Sequence, residues 1–176
     1  MPEIDAFAVG IGPGSFTGLR VGIATMQGLA VATGKPLIGV SALDALAALA
    51  AVAADGAGSV PTSTWIDAWR GDVYAALYEG GREVEAPIVA PPEDLLRRLE
   101  GRQILFTGDG ASVHEALIQT RWGGAAQFTR PIAPLLAGAM ATLAGAAYLS
   151  GHHPAPDAIR SLYVHRSDVE LARDRA

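Results

Sequence analysis

A glycine-rich stretch near the amino terminus, GIGPGSFTGLR over residues 10–20, constrains the fold most strongly. The residues before it, 4–9, are mostly apolar and few in number, which is typical of a buried strand. The residues after it, 21–33, have the composition of a helix. Gly12 and Gly14 permit backbone angles that a side chain would forbid. The stretch is therefore predicted to form a strand-to-helix turn.

The free backbone amides at the start of this helix need hydrogen-bond partners, and Ser15 or Thr17 can cap them. A glycine-rich turn before a helix also attracts phosphate, because the amides and the helix dipole favour an anion. The stretch lacks the Gly-Lys-Ser/Thr ending of a P-loop and the G-x-G-x-x-G spacing of a dinucleotide site. From these residues alone, the turn is either a structural connection or an anion site.

The helix predicted over 17–33 is apolar on more than one face, so both sides must be covered. One stripe consists of residues three or four positions apart: Leu19, Ile23, Met26 and Ala30. A second stripe has the same spacing: Val21, Ala24, Gly28 and Val31. Gly18 and Gly22 share a face on which another backbone can approach closely. The side away from the sheet is covered either by another helix of the chain or by a partner, and the first stripe together with Gly22 is predicted as the partner interface.

The downstream elements follow from short apolar runs separated by glycine and proline breakers. In chain order they are predicted as a strand over 36–40 parallel to the first, a helix over 42–54, a hairpin of strands over 62–69 and 72–78, a strand over 82–89, a helix after Pro92, a strand over 103–107, a short helix ending near 117, a long helix from Pro131 or Pro134 to 150, and a strand over 162–164. Two lobes are predicted, 1–58 and 59–176.

Composition and charge argue against several classes of protein. The chain has a net charge of −5 and no cysteine, which argues against a nucleic-acid binder, a zinc thiolate site and a thiol nucleophile. The arginine doublet 97–98 and the lone Arg20 are too sparse for a nucleic-acid patch. The alanine-rich run 132–149 is punctuated by glycines and a proline, and it is interpreted as a buried core helix rather than a membrane span. No secretion signal precedes the first strand, so a cytoplasmic location is expected.

The histidines do not form a metal-binding motif. His152 and His153 are adjacent, and a metal site would need further ligands near them. His114 and Glu115 resemble the start of H-E-x-x-H, but Ile118 stands where the second histidine is required. No metal site and no catalytic residue are therefore predicted.

Several motifs together resemble the TsaB (YeaZ) family. The central one is the glycine turn and the start of the following helix: Gly12, Pro13, Gly14, Ser15, Phe16, Thr17, Gly18, Leu19 and Arg20. The resemblance continues in residues 28–30, 38–41, 66–74 and 161–166. It implies an α/β fold of the actin-like ATPase-related (ASKHA, Gcp-like) class. Because the chain begins after the strands and first helix usual in that family, an incomplete first lobe followed by a second lobe is expected.

The resemblance also implies a function. Family members are non-catalytic subunits that bind and activate a TsaD-type threonylcarbamoyltransferase, which forms N6-threonylcarbamoyladenosine at adenosine 37 of tRNA. The implied partners are a TsaD-type subunit in a heterodimer and a TsaE-type ATPase, with self-association of the chain when alone. Contact with tRNA is expected only through the partner, and no association with a membrane is expected. No cofactor is expected, and nucleotide only in the assembled complex.

Two alternatives remain open. One is a small actin-like kinase or phosphohydrolase that uses Asp67 and the glycine turn, since aspartates at such strand ends hold phosphate or magnesium in actin-like ATPases. Against a ligand role, Trp69 stands where the family usually has a basic residue, and turn amides near Gly71 can satisfy the carboxylate of Asp67 instead. The other alternative is a plain self-associating module.

Overall fold

The computed structural model describes residues 3–53 and 60–164. Its helices and strands, in chain order, are β1 (Phe7–Gly12), α1 (Phe16–Thr33), β2 (Leu37–Ser41), α2 (Ala42–Ala53), β3 (Thr62–Asp67), β4 (Val73–Glu79), β5 (Arg82–Ala90), α3 (Pro92–Leu99), β6 (Ile104–Thr107), α4 (Asp109–Val113), α5 (Glu115–Trp122), β7 (Ala126–Phe128) and α6 (Ala137–Leu149). The mixture of two sheets and surrounding helices is the predicted α/β class.

The described residues divide into two compact units, and the division falls within α2. The first unit contains the chain up to Ala45 together with Leu135–Tyr163, and the second contains Leu46–Pro134. The boundary predicted at 58–59 lies outside the described residues. The C-terminal helix, which the sequence assigned to the second lobe, belongs to the first unit. The reason is a long-range contact, because α6 packs on β1 and β2.

The first unit is a parallel βαβ arrangement with a helix on each face of a two-stranded sheet. Phe7 of β1 lies opposite Leu37 of β2, which confirms the predicted parallel pairing. Because side chains alternate along a strand, one face of the sheet carries Phe7, Val9 and Leu37, which pack with α1. The other face carries Ile38 and Val40, which pack with α6.

The second unit is built on a five-stranded sheet in the order β5-β4-β3-β6-β7. Strands β3 and β4 form the predicted antiparallel hairpin, β5 continues it, and β6 and β7 run parallel to β3. Trp65 and Phe106 are fully buried at the centre of the core, with their rings edge to face at 5.6 Å. The indole N–H of Trp65 donates to Ser63 Oγ at 2.8 Å, so this polar atom is satisfied inside the core.

The structure departs from the sequence-based elements in several places. The first strand begins at Phe7, and β7, which has only three residues, was not predicted. Residues 162–164 are not a strand, although the Leu162 amide donates to the Ile11 carbonyl at 2.7 Å.

The long helix α6 begins at Ala137, after both prolines, and it is only half covered. Within it Ala139 and Ala144 are buried, whereas Leu149 is exposed. The interpretation of this run as a buried core helix therefore holds for one face of α6 only. No helix among the described residues combines the length and the apolar character needed to cross a membrane.

Candidate functional site

The glycine turn connects β1 to α1 with a conformation that requires glycine at its first position. Gly12 has φ +109°, and a Cβ added there would lie 2.9 Å from Leu19 Cδ1. Ser15 is the N-cap of α1, and its side-chain oxygen accepts a hydrogen bond from the Gly18 amide at 3.2 Å. Of the two predicted capping residues, Ser15 is therefore the one that acts. The helix begins at Phe16, so the remaining residues of the motif form its first turns.

Three of the five predicted partner-interface residues on α1 face the sheet of the first unit instead. Ile23 and Ala30 are buried against Phe7, Val9 and Leu37. Met26 packs on the same cluster, and Leu19 and Gly22 are half-buried. Ile23, Met26 and Ala30 therefore cover the sheet and do not form an exposed interface. The structure leaves the predicted interface role of Leu19 and Gly22 untested.

The exposed stripe of α1 is the second of the two apolar stripes. It comprises Val21, Ala24, Gly28 and Val31, and we call it the outer stripe. The side chains of Val21 and Val31 are 62% and 69% exposed. A Cβ added at Gly28 would meet no heavy atom within 4 Å, so the helix surface is open there.

Two motifs that the sequence singled out separately meet beside the start of α1. The guanidinium carbon of Arg20 lies 3.9 Å from the centroid of the Phe16 ring, a cation–π arrangement. A hydrogen bond from Ser161, and then one from Arg20, lowers the pKa of the Tyr163 phenol. The contact between Arg20 and Tyr163 was not predicted, because nothing in a single sequence pairs residues that lie so far apart. Arg166, at the end of the second motif, is outside the described residues.

Asp67, the possible ligand, is held in the hairpin turn after β3. Its Oδ1 accepts a hydrogen bond from the Trp69 amide at 2.9 Å, and its own amide donates to Asp109 Oδ1 at 3.1 Å. Trp69 and Arg70 have φ values of 64° and 59°, so the turn is left-handed at two residues other than glycine. These contacts are those of a turn aspartate, and they belong to the second unit, whereas the glycine turn belongs to the first.

The histidines and the second aspartate also make local contacts. His153 Nε2 lies 3.0 Å from the Tyr148 carbonyl oxygen, and the His153 ring stacks on the Tyr148 ring. Asp109 Oδ1 accepts from the Gly110 amide at 2.8 Å. Across residues 3–53 and 60–164, no three histidine, aspartate or glutamate side chains are grouped in a way that could hold a metal ion.

Comparison with known proteins agrees with this architecture. The family model described as "TsaD: tRNA N6-adenosine threonylcarbamoyltransferase" matches residues 1–153. The structure of YeaZ from Pseudomonas aeruginosa superposes with a TM-score of 0.69 and 30% sequence identity, over 92% of this chain and 76% of that one. The fold is therefore of the actin-like ATPase-related class, with a Gcp-like domain.

The sequence relatives narrow the assignment. TsaB of Escherichia coli is 42% identical over 111 residues, which are 57% of this chain and 44% of that protein. An uncharacterized protein of Mycobacterium leprae is 41% identical over 95 residues, which are 54% of this chain and 24% of that protein. The chain belongs to the TsaB (YeaZ) family. It spans less than half the length of either of these two relatives.

Proposed function

We propose that this chain is a non-catalytic subunit of tRNA threonylcarbamoyladenosine biosynthesis that binds and activates a TsaD-type enzyme. The modified nucleoside would be N6-threonylcarbamoyladenosine at adenosine 37 of tRNA. The names of the relatives support the pathway, since the matching proteins of Escherichia coli, Bacillus subtilis and Haemophilus influenzae are each a "tRNA threonylcarbamoyladenosine biosynthesis protein TsaB". The observation that carries the partner role is the exposed outer stripe of α1.

The outer stripe has the chemistry of a helix-packing surface. Fully burying one valine contributes about 1.5–3 kcal/mol, so Val21 and Val31 together offer a substantial driving force for association. Ala24 and Gly28 lie between them on the same face, and small side chains let a partner helix come close. Contiguous apolar surface of this kind marks interaction sites in soluble proteins. The same stripe supports self-association when the chain is alone.

The proposed non-catalytic role rests on the hydrogen bonds that the two candidate ligand residues, Asp67 and Asp109, already make. The Asp67 carboxylate is a backbone-capping group in a turn, and Asp109 serves the same purpose at the next strand end. The kinase alternative is therefore not favoured by any contact of these two residues. We further propose that a TsaE-type ATPase is a third component of the complex. The Asp67 region and the glycine turn of the chain alone bind no cofactor, and they bind nucleotide only in the assembled complex.

The test is binding of the full chain to a purified TsaD-type enzyme, measured by isothermal titration. Val21→Lys places a charge in the outer stripe and should weaken binding by about tenfold or more. Val113→Lys is the matched control, because Val113 is 65% exposed in the second unit and undergoes the same chemical change. Equal affinities of the two variants, or no binding by the unmodified chain, would refute the proposed surface.

A further inference from the structure

A pocket of about 280 Å³ opens in the second unit, at the last turns of α3 and α5 and the loop that follows α3. Its lining concentrates positive charge, with three arginines and one glutamate beside a tryptophan: Arg97, Glu100, Arg102, Arg121 and Trp122. The chain as a whole carries a net charge of −5. Three arginines at one cavity of an acidic chain are a local feature that overall composition does not explain. We call it the arginine pocket.

Two of the three guanidinium groups are held in place by carboxylates that do not line the pocket. Arg97 pairs with Asp94 one turn earlier on α3. Arg102 Nη2 lies 2.6 Å from Glu79 Oε1, and its Nη1 lies 3.8 Å from Glu85 Oε1. Because these partners lie outside the lining, they orient the two guanidinium groups without filling the cavity. The same ion pairs offset the charge of Arg97 and Arg102, so the phosphate contact is expected to come mainly from the third arginine.

Arg121 is different, because its side chain makes no hydrogen bond or ion pair within the described part of the chain. A cation in the last turn of a helix is favoured by the helix dipole, which explains why an arginine suits the ends of α3 and α5. That effect does not explain why both ends share one cavity with Arg102. An unpaired guanidinium beside two oriented ones is suited to bidentate binding of a phosphate.

Trp122 gives the pocket a fixed aromatic wall. Its indole N–H donates to the Arg102 carbonyl at 2.8 Å, and its ring meets the buried Phe106 ring edge to face at 6.0 Å. These contacts lock the side chain while it still lines the cavity. An ordered aromatic surface next to arginine is the combination that binds a nucleobase together with its phosphate. The volume is close to the lower limit of about 300 Å³ for ligand pockets, which suits one nucleotide.

We propose that the arginine pocket binds a nucleotide phosphate, with Arg121 as the main phosphate contact and Trp122 beside the base. The nucleotide is either a free mononucleotide or one residue of an RNA strand, since both present the same chemistry. The site is separate from Asp67 and from the glycine turn. It does not depend on a TsaD-type partner, so it can be tested on the chain alone whatever the outcome for the proposed function.

The experiment is isothermal titration of the full chain with three probes: adenosine monophosphate, a six-residue oligoadenylate RNA and inorganic phosphate. Arg121→Gln should weaken binding of the nucleotide probes by about tenfold or more, because a charge-assisted hydrogen bond is lost. Arg98→Gln is the matched control, since Arg98 lies on α3 but does not line the arginine pocket. It should bind like the unmodified chain, and thermal melts check that both variants fold.

The pattern across probes identifies the source of the phosphate. Adenosine monophosphate binding at least as tightly as the oligoadenylate supports a free nucleotide, whereas tighter binding of the oligoadenylate supports an RNA strand. The absence of saturable binding of either nucleotide probe at millimolar concentration would overturn the proposal. So would equal affinities of Arg121→Gln and Arg98→Gln, or binding of inorganic phosphate as tight as that of the nucleotides, which would leave Trp122 without a role.

Discussion

The side-chain oxygen of Ser15 accepts a hydrogen bond from the backbone amide of Gly18, three residues along the chain, at 3.2 Å. This contact caps the helix that carries the outer stripe. Ser15→Ala should lower the free energy of unfolding by about 0.5–2 kcal/mol, because an amide at the helix start loses its partner. Urea denaturation measures the change. Thr17→Ala is the control on the same turn and should stay within about 0.5 kcal/mol. An unchanged stability for Ser15→Ala would show that the cap does not support the helix.

Gly108, which follows β6, cannot accept a side chain. Its φ is +110°, and a Cβ there would lie 1.9 Å from the Trp65 carbonyl oxygen. Gly108→Ala should lower the free energy of unfolding by about 3 kcal/mol or more, because backbone strain and overpacking act together. Gly145→Ala is the control: that glycine lies in the middle of α6 with open space around it, and alanine there should raise the free energy of unfolding by about 0.5–1 kcal/mol. Thermal melts that rank the two variants in the opposite order would contradict the geometry.

Two substitutions of Asp67 distinguish a structural role in the turn from a role in binding a ligand. Asp67→Asn keeps an oxygen that can accept from the Trp69 amide, so stability should stay close to that of the unmodified chain. Asp67→Ala removes the acceptor and should cost about 1 kcal/mol. The same samples are assayed for ATP hydrolysis, for which we expect no turnover above background. Turnover that Asp67→Asn abolishes would restore the kinase alternative.

Tyr163 provides a pH-dependent signal beside the glycine turn. The hydrogen bonds of Ser161 and Arg20 lower the pKa of its phenol, so it should ionise below the usual value of about 10. A group whose pKa is lowered in the folded state contributes stability above its unfolded pKa, and that contribution is lost as the pH falls through the folded value. The effect therefore falls between the lowered pKa of the folded state and the usual value of about 10.

The measurement is ultraviolet titration, with Tyr163→Phe subtracted so that the remaining tyrosines cancel. Arg20→Gln should move the titration of Tyr163 back towards the usual value, because one hydrogen bond and a nearby positive charge are removed. A Tyr163 titration that Arg20→Gln leaves unmoved would mean that Arg20 does not contact the phenol in solution.

Much of the fold follows from local patterns in the sequence. The strand, turn and helix around Gly12, the parallel second strand and the hairpin after Thr62 were predicted because glycines, caps and apolar runs act over a few residues. The three-residue strand β7 was not predicted, since AQF has no strong strand pattern. The packing of α6 on β1 and β2 depends on contacts more than a hundred residues apart, which no local pattern encodes.

The sequence misplaced the exposed face of α1 for a physical reason. Both stripes are apolar, so periodicity cannot decide which one faces the sheet. The decision comes from packing: Ile23 and Ala30 fit against Phe7, whereas Val21 and Val31 lie on the opposite side. The arginine pocket was missed in the same way. Arginines that are scattered along the chain look too sparse for a binding site until the fold gathers three of them at one cavity.

Activation of a TsaD-type enzyme by the outer stripe of α1 is tested by formation of N6-threonylcarbamoyladenosine on tRNA by the purified enzyme, measured by mass spectrometry of the digested nucleosides. We expect that adding the full chain raises the yield, that Val113→Lys raises it equally, and that Val21→Lys does not. A yield that is the same with and without the chain, or one that Val21→Lys supports as well as the unmodified chain, would contradict the claim that the outer stripe of α1 activates the enzyme.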